Sequence, residues 1–188
     1  MTQNDKLYTV LTGDLVKSSR LSSEKSAGAM ARLKNEAREF AQQYPATIVG
    51  QMDTFRHDSR QVLMEKPAPA VRAAVFLRTA PKLESNAEIN HDTRICIGIG
   101  QVELISTQKI SNSRGPAFTH SGKGLDEMGG ERLRLVAGDN APVLLNGLSC
   151  TAIPLLDCII GDWTPTASRA IYGVLTDRPR KNSQVIGR

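Results

Sequence analysis

Between residues 93 and 105 the chain alternates more strictly than anywhere else in its length. Ile95, Ile97 and Ile99 fall on one face of an extended strand, and Cys96, Gly98 and Gly100 fall on the other. Successive side chains of a strand point to opposite faces, so three branched apolar residues commit one face to a core. The glycines opposite leave bare backbone, which calls for another layer packed very closely against it.

Around this run the segments take a definite order. Residues 7–12, rich in β-branched and aromatic side chains, run into Gly13-Asp14 and read as a buried first strand ending at an acid. Ser22 or Ser23 is placed to cap a helix whose stripe of Met30, Leu33, Ala37, Phe40 and Tyr44 steps by threes and fours until Pro45. Two strand-like runs, 46–52 and 60–65, flank a bend at 53–59 and predict a hairpin. Pro67 and Pro69 open a second helix, with Val71, Ala74, Val75 and Leu77 on its buried face before Pro81. After the 93–105 strand come a loop at 106–115, a short helix within 116–128 and Gly129-Gly130 as its stop. A strand at 131–136 and an apolar helical stretch at about 142–160 follow.

The order β-α-β-β-α-β-α-β, then helices, predicts an α+β fold: an antiparallel ferredoxin-like β-α-β-β-α-β sheet with a C-terminal helical extension. The division expected is 1–140 for the sheet domain and 141–188 for the extension. In that topology the acid ending the first strand lies beside the hairpin bend, so Asp14 and Asp58 become candidate neighbours. Read without any further context, Asp14 begins a loop and Asp58 is a hairpin-bend residue, each bonding its own backbone.

Composition narrows the function classes. With 40% hydrophobic and 23% charged residues the chain is globular in character. The opening residues 1–6 are polar with no signal-peptide core behind them, and the most apolar run, 148–160, is broken by Pro154 and Asp157. That is short of the roughly 18 residues a membrane helix needs, so no membrane and a cytoplasmic location are expected. Cys96, Cys150 and Cys158, with only three histidines (His57, His91, His120), lack the paired spacing of a disulfide framework or a zinc site. The net charge of +5 is concentrated at the end: after Thr164 there are Arg169, Arg178, Arg180, Lys181 and Arg188 against one acid, Asp177. Such asymmetry suits a segment that meets polyanions.

Four motifs then carry a family resemblance. They are the run from Thr12 to Ser19 (TGDLVKSS), the bend Phe55-Arg56-His57-Asp58-Ser59, the run from Arg94 to Gly100 (RICIGIG) and the run from Ser121 to Met128 (SGKGLDEM). In this order they resemble the class III nucleotidyl cyclase domain, and more nearly the SatD family, a cyclase-like domain followed by a helix-turn-helix. The resemblance implies that Asp14 and Asp58 match the two carboxylates that hold Mg or Mn on a nucleoside triphosphate; carboxylates suit such hard cations. It implies that Val16, Lys17, Ser18 and Ser19 match the phosphate-cradling turn, and that the protein is a homodimer with a nucleotide as ligand. The match is incomplete. His57 stands where a glycine allows close backbone approach, Asp126 where an asparagine orients the ribose, and Gly130 where an arginine stabilises transition-state charge. Arg132 is the nearest substitute for that arginine.

The tail completes the reading. Trp163-Thr164-Pro165 starts a basic helix with Ala167, Ala170, Ile171, Val174 and Leu175, Asp177 to Pro179 makes a turn, and Ser183 caps what resembles the opening of a recognition helix. The expected function is regulatory: a catalytically degenerate cyclase-like sensor or dimerisation domain joined to a helix-turn-helix left incomplete at Arg188, with Arg178, Arg180 and Lys181 on DNA phosphates. The alternative is an Mg- or Mn-dependent enzyme acting on a nucleoside triphosphate through Asp14 and Asp58.

Overall fold

The first strand is the hinge of the whole architecture because it is paired on both sides. In the computed structural model, which describes residues 6–16, 22–55, 58–85, 91–138 and 141–176, β1 (Tyr8–Leu15) lies antiparallel to both β3 (Ser59–Met64) and β4 (Thr93–Gly100). β2 (Ile48–Phe55) pairs antiparallel with β3, and β5 (Leu133–Ala137) pairs parallel with β4, giving the order β2-β3-β1-β4-β5. The first four strands make the predicted ferredoxin-like sheet, and β5 extends it.

Helices α1 (Ser23–Gln43) and α2 (Ala70–Lys82) cover the face that carries Leu11, Val62, Ile95, Ile97 and Ile99. Helix α1 forms as its sequence dictates. Ser22 accepts the Lys25 N–H at 3.3 Å as N-cap, and Met30, Leu33, Ala37 and Phe40 are buried at the predicted spacing. Helix α3 (Pro116–Asp126) covers the opposite face, and the glycines are what admit it. A Cβ on Gly98 would lie 2.4 Å from both the Ala117 carbonyl oxygen and the Ser121 nitrogen, and one on Gly100 would lie 2.9 Å from the Ala117 nitrogen. The buried Thr12 and Ser121 hydroxyls then bond at 2.7 Å, tying α3 to β1.

Several boundaries differ from the sequence reading. β1 continues through Asp14 to Leu15, since Leu15 is buried and Asp14 pairs across the sheet with Arg94. β2 reaches Phe55, so the bend is shorter than 53–59. β4 stops at Gly100 instead of running to residue 105: the Gln101 carbonyl turns to accept the Ala117 N–H at 3.1 Å, and Gly115, at φ 142°, delivers α3 onto the sheet. Pro81 lies inside the last turn of α2, where it forfeits one helical hydrogen bond.

The larger correction concerns the apolar stretch. Residues Val143–Gly161 form one continuous helical run, α4 (Val143–Gly147), a π turn (Leu148–Ala152) and α5 (Ile153–Gly161). Pro154 does not break it, because the wide π turn directly before it relieves the clash of the ring with the preceding carbonyl. By length and composition alone this run could cross a membrane. Its inner face is nonetheless packed: Ile153 and Ile160 join the core under α2, and Asp157 holds the buried Arg78.

Arg78 is the knot of that packing. Its side chain, fully buried, donates to Asp92 through Nε at 3.2 Å and Nη2 at 2.8 Å, and to Asp157 through Nη1 at 2.6 Å. Lys82 Nζ, also buried, lies 3.4 Å from Asp92, and the Arg132 N–H donates to Asp157 at 2.9 Å. Two cations thus face two carboxylates, joining α2, the start of β4, the approach to β5 and α5.

Helix α6 (Pro165–Thr176) docks on α2 through Tyr172, which stacks on Phe76 with centroids 5.1 Å apart. The Tyr172 hydroxyl reaches Glu36 at 2.6 Å and Glu39 at 2.9 Å. Burial raises the Glu36 carboxyl above its ordinary value, against the Tyr172 hydrogen bond that lowers it, with Glu39 repelling further. One phenolic proton serves two acids, so protonating Glu36 relieves the site. The sign follows: the folded state holds its proton more tightly than the unfolded one, so stability is full below the ordinary carboxylate range and falls as pH rises through it. A Glu36→Gln variant is therefore expected to melt with the wild type near pH 4 and above it at pH 7. Midpoints across that range check this; equal midpoints at pH 7 would contradict it.

Candidate functional site

The end of β1 gathers the charged residues singled out in the sequence, together with two that were not. Asp14 and Arg94 are register partners on adjacent strands and share a face. Arg94 donates from Nε to Asp14 Oδ1 at 2.9 Å and from Nη2 to Oδ2 at 2.5 Å, while its Nη1 reaches the Met128 carbonyl at 3.3 Å. This two-pronged contact is the strongest geometry an arginine and a carboxylate can adopt. It raises Arg94 above its ordinary value, and the charges of Asp126 and Asp58 add to the effect. Asp14 thus holds the guanidinium directly, while Asp58 and Asp126 act on it only through their charge.

On the other side of β1 lies Arg60, completely buried. Burial pulls its guanidinium down to about 10, against the charges of Asp14, Asp58 and Asp92. Nη2 donates to the Thr93 hydroxyl, which donates in turn to the Asp14 carbonyl, and Nη1 has no hydrogen-bond partner among the described residues. Gly13 makes this possible: a Cβ there would stand 3.0 Å from Arg60 Nη2 and 2.5 Å from the Arg94 carbonyl. The glycine of the Gly13-Asp14 pair is thus required by close packing.

The other predicted site residues fall as follows. Asp58 sits in the turn between β2 and β3, half-buried, and Asp126 is the exposed last residue of α3. The Val16 N–H donates to the Asp92 carbonyl at 3.0 Å. Lys17, Ser18 and Ser19 lie outside the described residues, as do His57, Arg178, Arg180 and Lys181. Gly130 is exposed with open space around it. Arg132 does not fill its place: its Nη1 folds back onto the Gly130 carbonyl at 3.0 Å.

Whether these residues suit a divalent cation turns on Arg94. Both oxygens of Asp14 are taken by a fixed positive charge, and a metal ion at the same oxygens would meet it directly. With Arg94 in place the pair does not fit an Mg or Mn ion. Among the described residues no group of three or more His, Cys, Asp or Glu side chains gathers as a metal site.

Beside the site is a cavity of about 450 Å³ between the end of β1, α1 and α2, lined on its polar side by Lys25, Arg32, Glu84, His91 and Asp92. Arg32 pairs with Glu84, and Asp92 is held by Arg78 and Lys82.

No protein-family model and no curated protein sequence matches the chain. Solved structures do. The adenylate/guanylate cyclase/hydrolase from Silicibacter pomeroyi superposes with a TM-score of 0.54 at 16% identity, covering 79% of this chain and 82% of that one. The catalytic core of a rhodopsin-guanylyl cyclase with converted specificity, in complex with ATPαS, gives 0.52 at 17% identity over 69% and 76%. The monomeric guanylyl cyclase domain of the RhoGC fusion protein from the aquatic fungus Blastocladiella emersonii gives 0.51 at 16% identity over 69% and 80%. The chain has the fold of the class III nucleotidyl cyclase domain.

Proposed function

We propose that this chain is a regulatory module on a cyclase-like body, one that binds a nucleotide without cyclising it. The observation that carries the reading is the Arg94 clasp on Asp14. An ion pair stands where the cyclase resemblance calls for a metal-holding carboxylate, and Gly130 offers no guanidinium for transition-state charge. By the resemblance the ligand's phosphates would meet Lys17, Ser18 and Ser19, and Lys25, Arg32 and His91 line the cavity at the end of β1. The likeness to the SatD family adds an output. Arg178, Arg180 and Lys181 would contact nucleic-acid phosphates, making duplex retention steeply salt-dependent.

The experiment is a thermal melt with ATP or GTP, in EDTA and then in Mn²⁺, with products read by mass spectrometry. At a hundredfold excess over Kd a ligand contributes about 2.7 kcal/mol, a rise of roughly 5–10 °C for a chain of this size. The rise is expected in EDTA as well, with the nucleotide recovered intact. No rise in either buffer sinks the reading. The second reading, a metal-dependent enzyme working through Asp14 and Asp58, is favoured by the charges of Asp58 and Asp126 being felt at the Arg94 guanidinium that Asp14 holds. A cyclised or hydrolysed product that Asp14→Asn abolishes would establish it.

A further inference from the structure

The cavity of about 450 Å³ between α1, α2 and the end of β1 lies on the far side of the sheet from the Asp14–Arg94 clasp. Its apolar wall includes Leu15 and Leu33, which belong to the core under α1 and α2. Side chains alternate along a strand, so Asp14 points the other way, to Arg94, as Thr12 does to Ser121 of α3. A space of this size is within the range of sites that hold small molecules. Gly28 of α1 keeps it open: a Cβ there would meet nothing within 4 Å. Glycine inside a helix is destabilising relative to alanine, and no close packing requires it at this position.

The charged groups of the wall are unequally committed. Asp92 is spent, with Oδ2 on Arg78 and Lys82 and Oδ1 on Arg78 Nε and the Thr93 N–H. Glu84 pairs with Arg32. Lys25, exposed at the mouth, has no salt bridge among the described residues. Behind the wall stands the buried Arg60, bonded to Thr93, the register partner of Leu15, with its Nη1 unpartnered among the described residues. The carboxylates are thus answered and two cations are left over.

We propose that this cavity binds a small organic anion, its carboxylate or phosphate head on Lys25 and its apolar body on Leu15, Ala29, Leu33 and Pro81. A cationic ligand would have to draw Asp92 from Arg78 and Lys82, or Glu84 from Arg32. An anion meets donors still free, in a field that Arg60 makes more positive. The site stands whether or not a nucleotide binds on the other face.

Its test is calorimetric titration of the full chain with 4-phenylbutyrate, with phenyl phosphate, and with 4-phenylbutanol, the same body as the first without charge. One-site binding of at least one anion is expected, about tenfold tighter than the alcohol. Lys25→Met should erase that preference and leave the alcohol unchanged. Gly28→Leu should fill the space and abolish binding while melting no lower than the wild type, since leucine is the better helix former. ATP should leave the anion's affinity as it was. Equal affinity for anion and alcohol overturns the proposal, as does full anion binding by Gly28→Leu. Stoichiometric displacement by ATP would give the cavity to the nucleotide and overturn it too. Binding of neither anion overturns it, whatever the melt with ATP or GTP shows.

Discussion

Replacing Arg78 with alanine is expected to lower the thermal midpoint by about 10 °C or more, the largest loss from any single side chain in this fold. The guanidinium has no exposure and makes three hydrogen bonds, two to Asp92 and one to Asp157. Its removal leaves two poorly hydrated carboxylates with, among the described residues, only Lys82 and the Thr93 and Arg132 backbone N–H groups to answer them. Breaking a buried pair from one side costs about 3–5 kcal/mol, and each kcal/mol moves the midpoint of a chain this long by about 2–4 °C. Arg78→Lys keeps the charge and loses the fork, so a smaller fall is expected. The loss has a location. Arg78 joins α2 to α5, so limited proteolysis of a variant that still folds should cut between β5 and α4 first. Equal melting of Arg78→Ala and the wild type would mean the network holds nothing.

Gly98→Ala comes second, at about 3 kcal/mol. One methyl on that strand would stand 2.4 Å from two backbone atoms of α3, and helix backbone cannot turn aside as a side chain can. Helix α3 must lift from β4, loosening the bond between Thr12 and Ser121 and moving Asp126 away from Arg94. Gly122→Ala, on the same helix with open space around it, is the internal control. There the gain of a better helix former should stabilise by roughly 0.5–1 kcal/mol. Urea denaturation of both variants reads opposite signs, and matching signs would refute the packing argument.

Much of this frame was legible before any coordinates. The alternation in β4 identified both the core face and the close approach opposite it, and the threefold and fourfold steps in α1 named its buried residues. The strand order pointed to the ferredoxin-like sheet, and the four motifs to its resemblance to the cyclases. What escaped depends on register or on packing between distant segments. Nothing local in the sequence says that Arg94 sits opposite Asp14; the antiparallel pairing of β1 with β4 does. Asp157 reads as a flaw in an apolar run until Arg78, far away in sequence, is seen to need it. Pro154 reads as a break because the π turn that absorbs it leaves no mark in composition. Of the candidate site, Asp14, Asp58 and Asp126 could be singled out, yet the arginine that clasps Asp14 could not.

That arginine decides what the site can do, and calorimetric titration of Mn²⁺ into wild type and Arg94→Ala addresses it directly. The wild type should give no binding heat, since Arg94 fills both oxygens of Asp14. Arg94→Ala, with the Asp14 carboxylate released and Asp58 nearby in charge, should bind the ion, and Asp14→Asn in that background should abolish the signal. Saturable binding of Mn²⁺ by the wild type, lost in Asp14→Asn, would contradict the account and restore a metal centre to this fold.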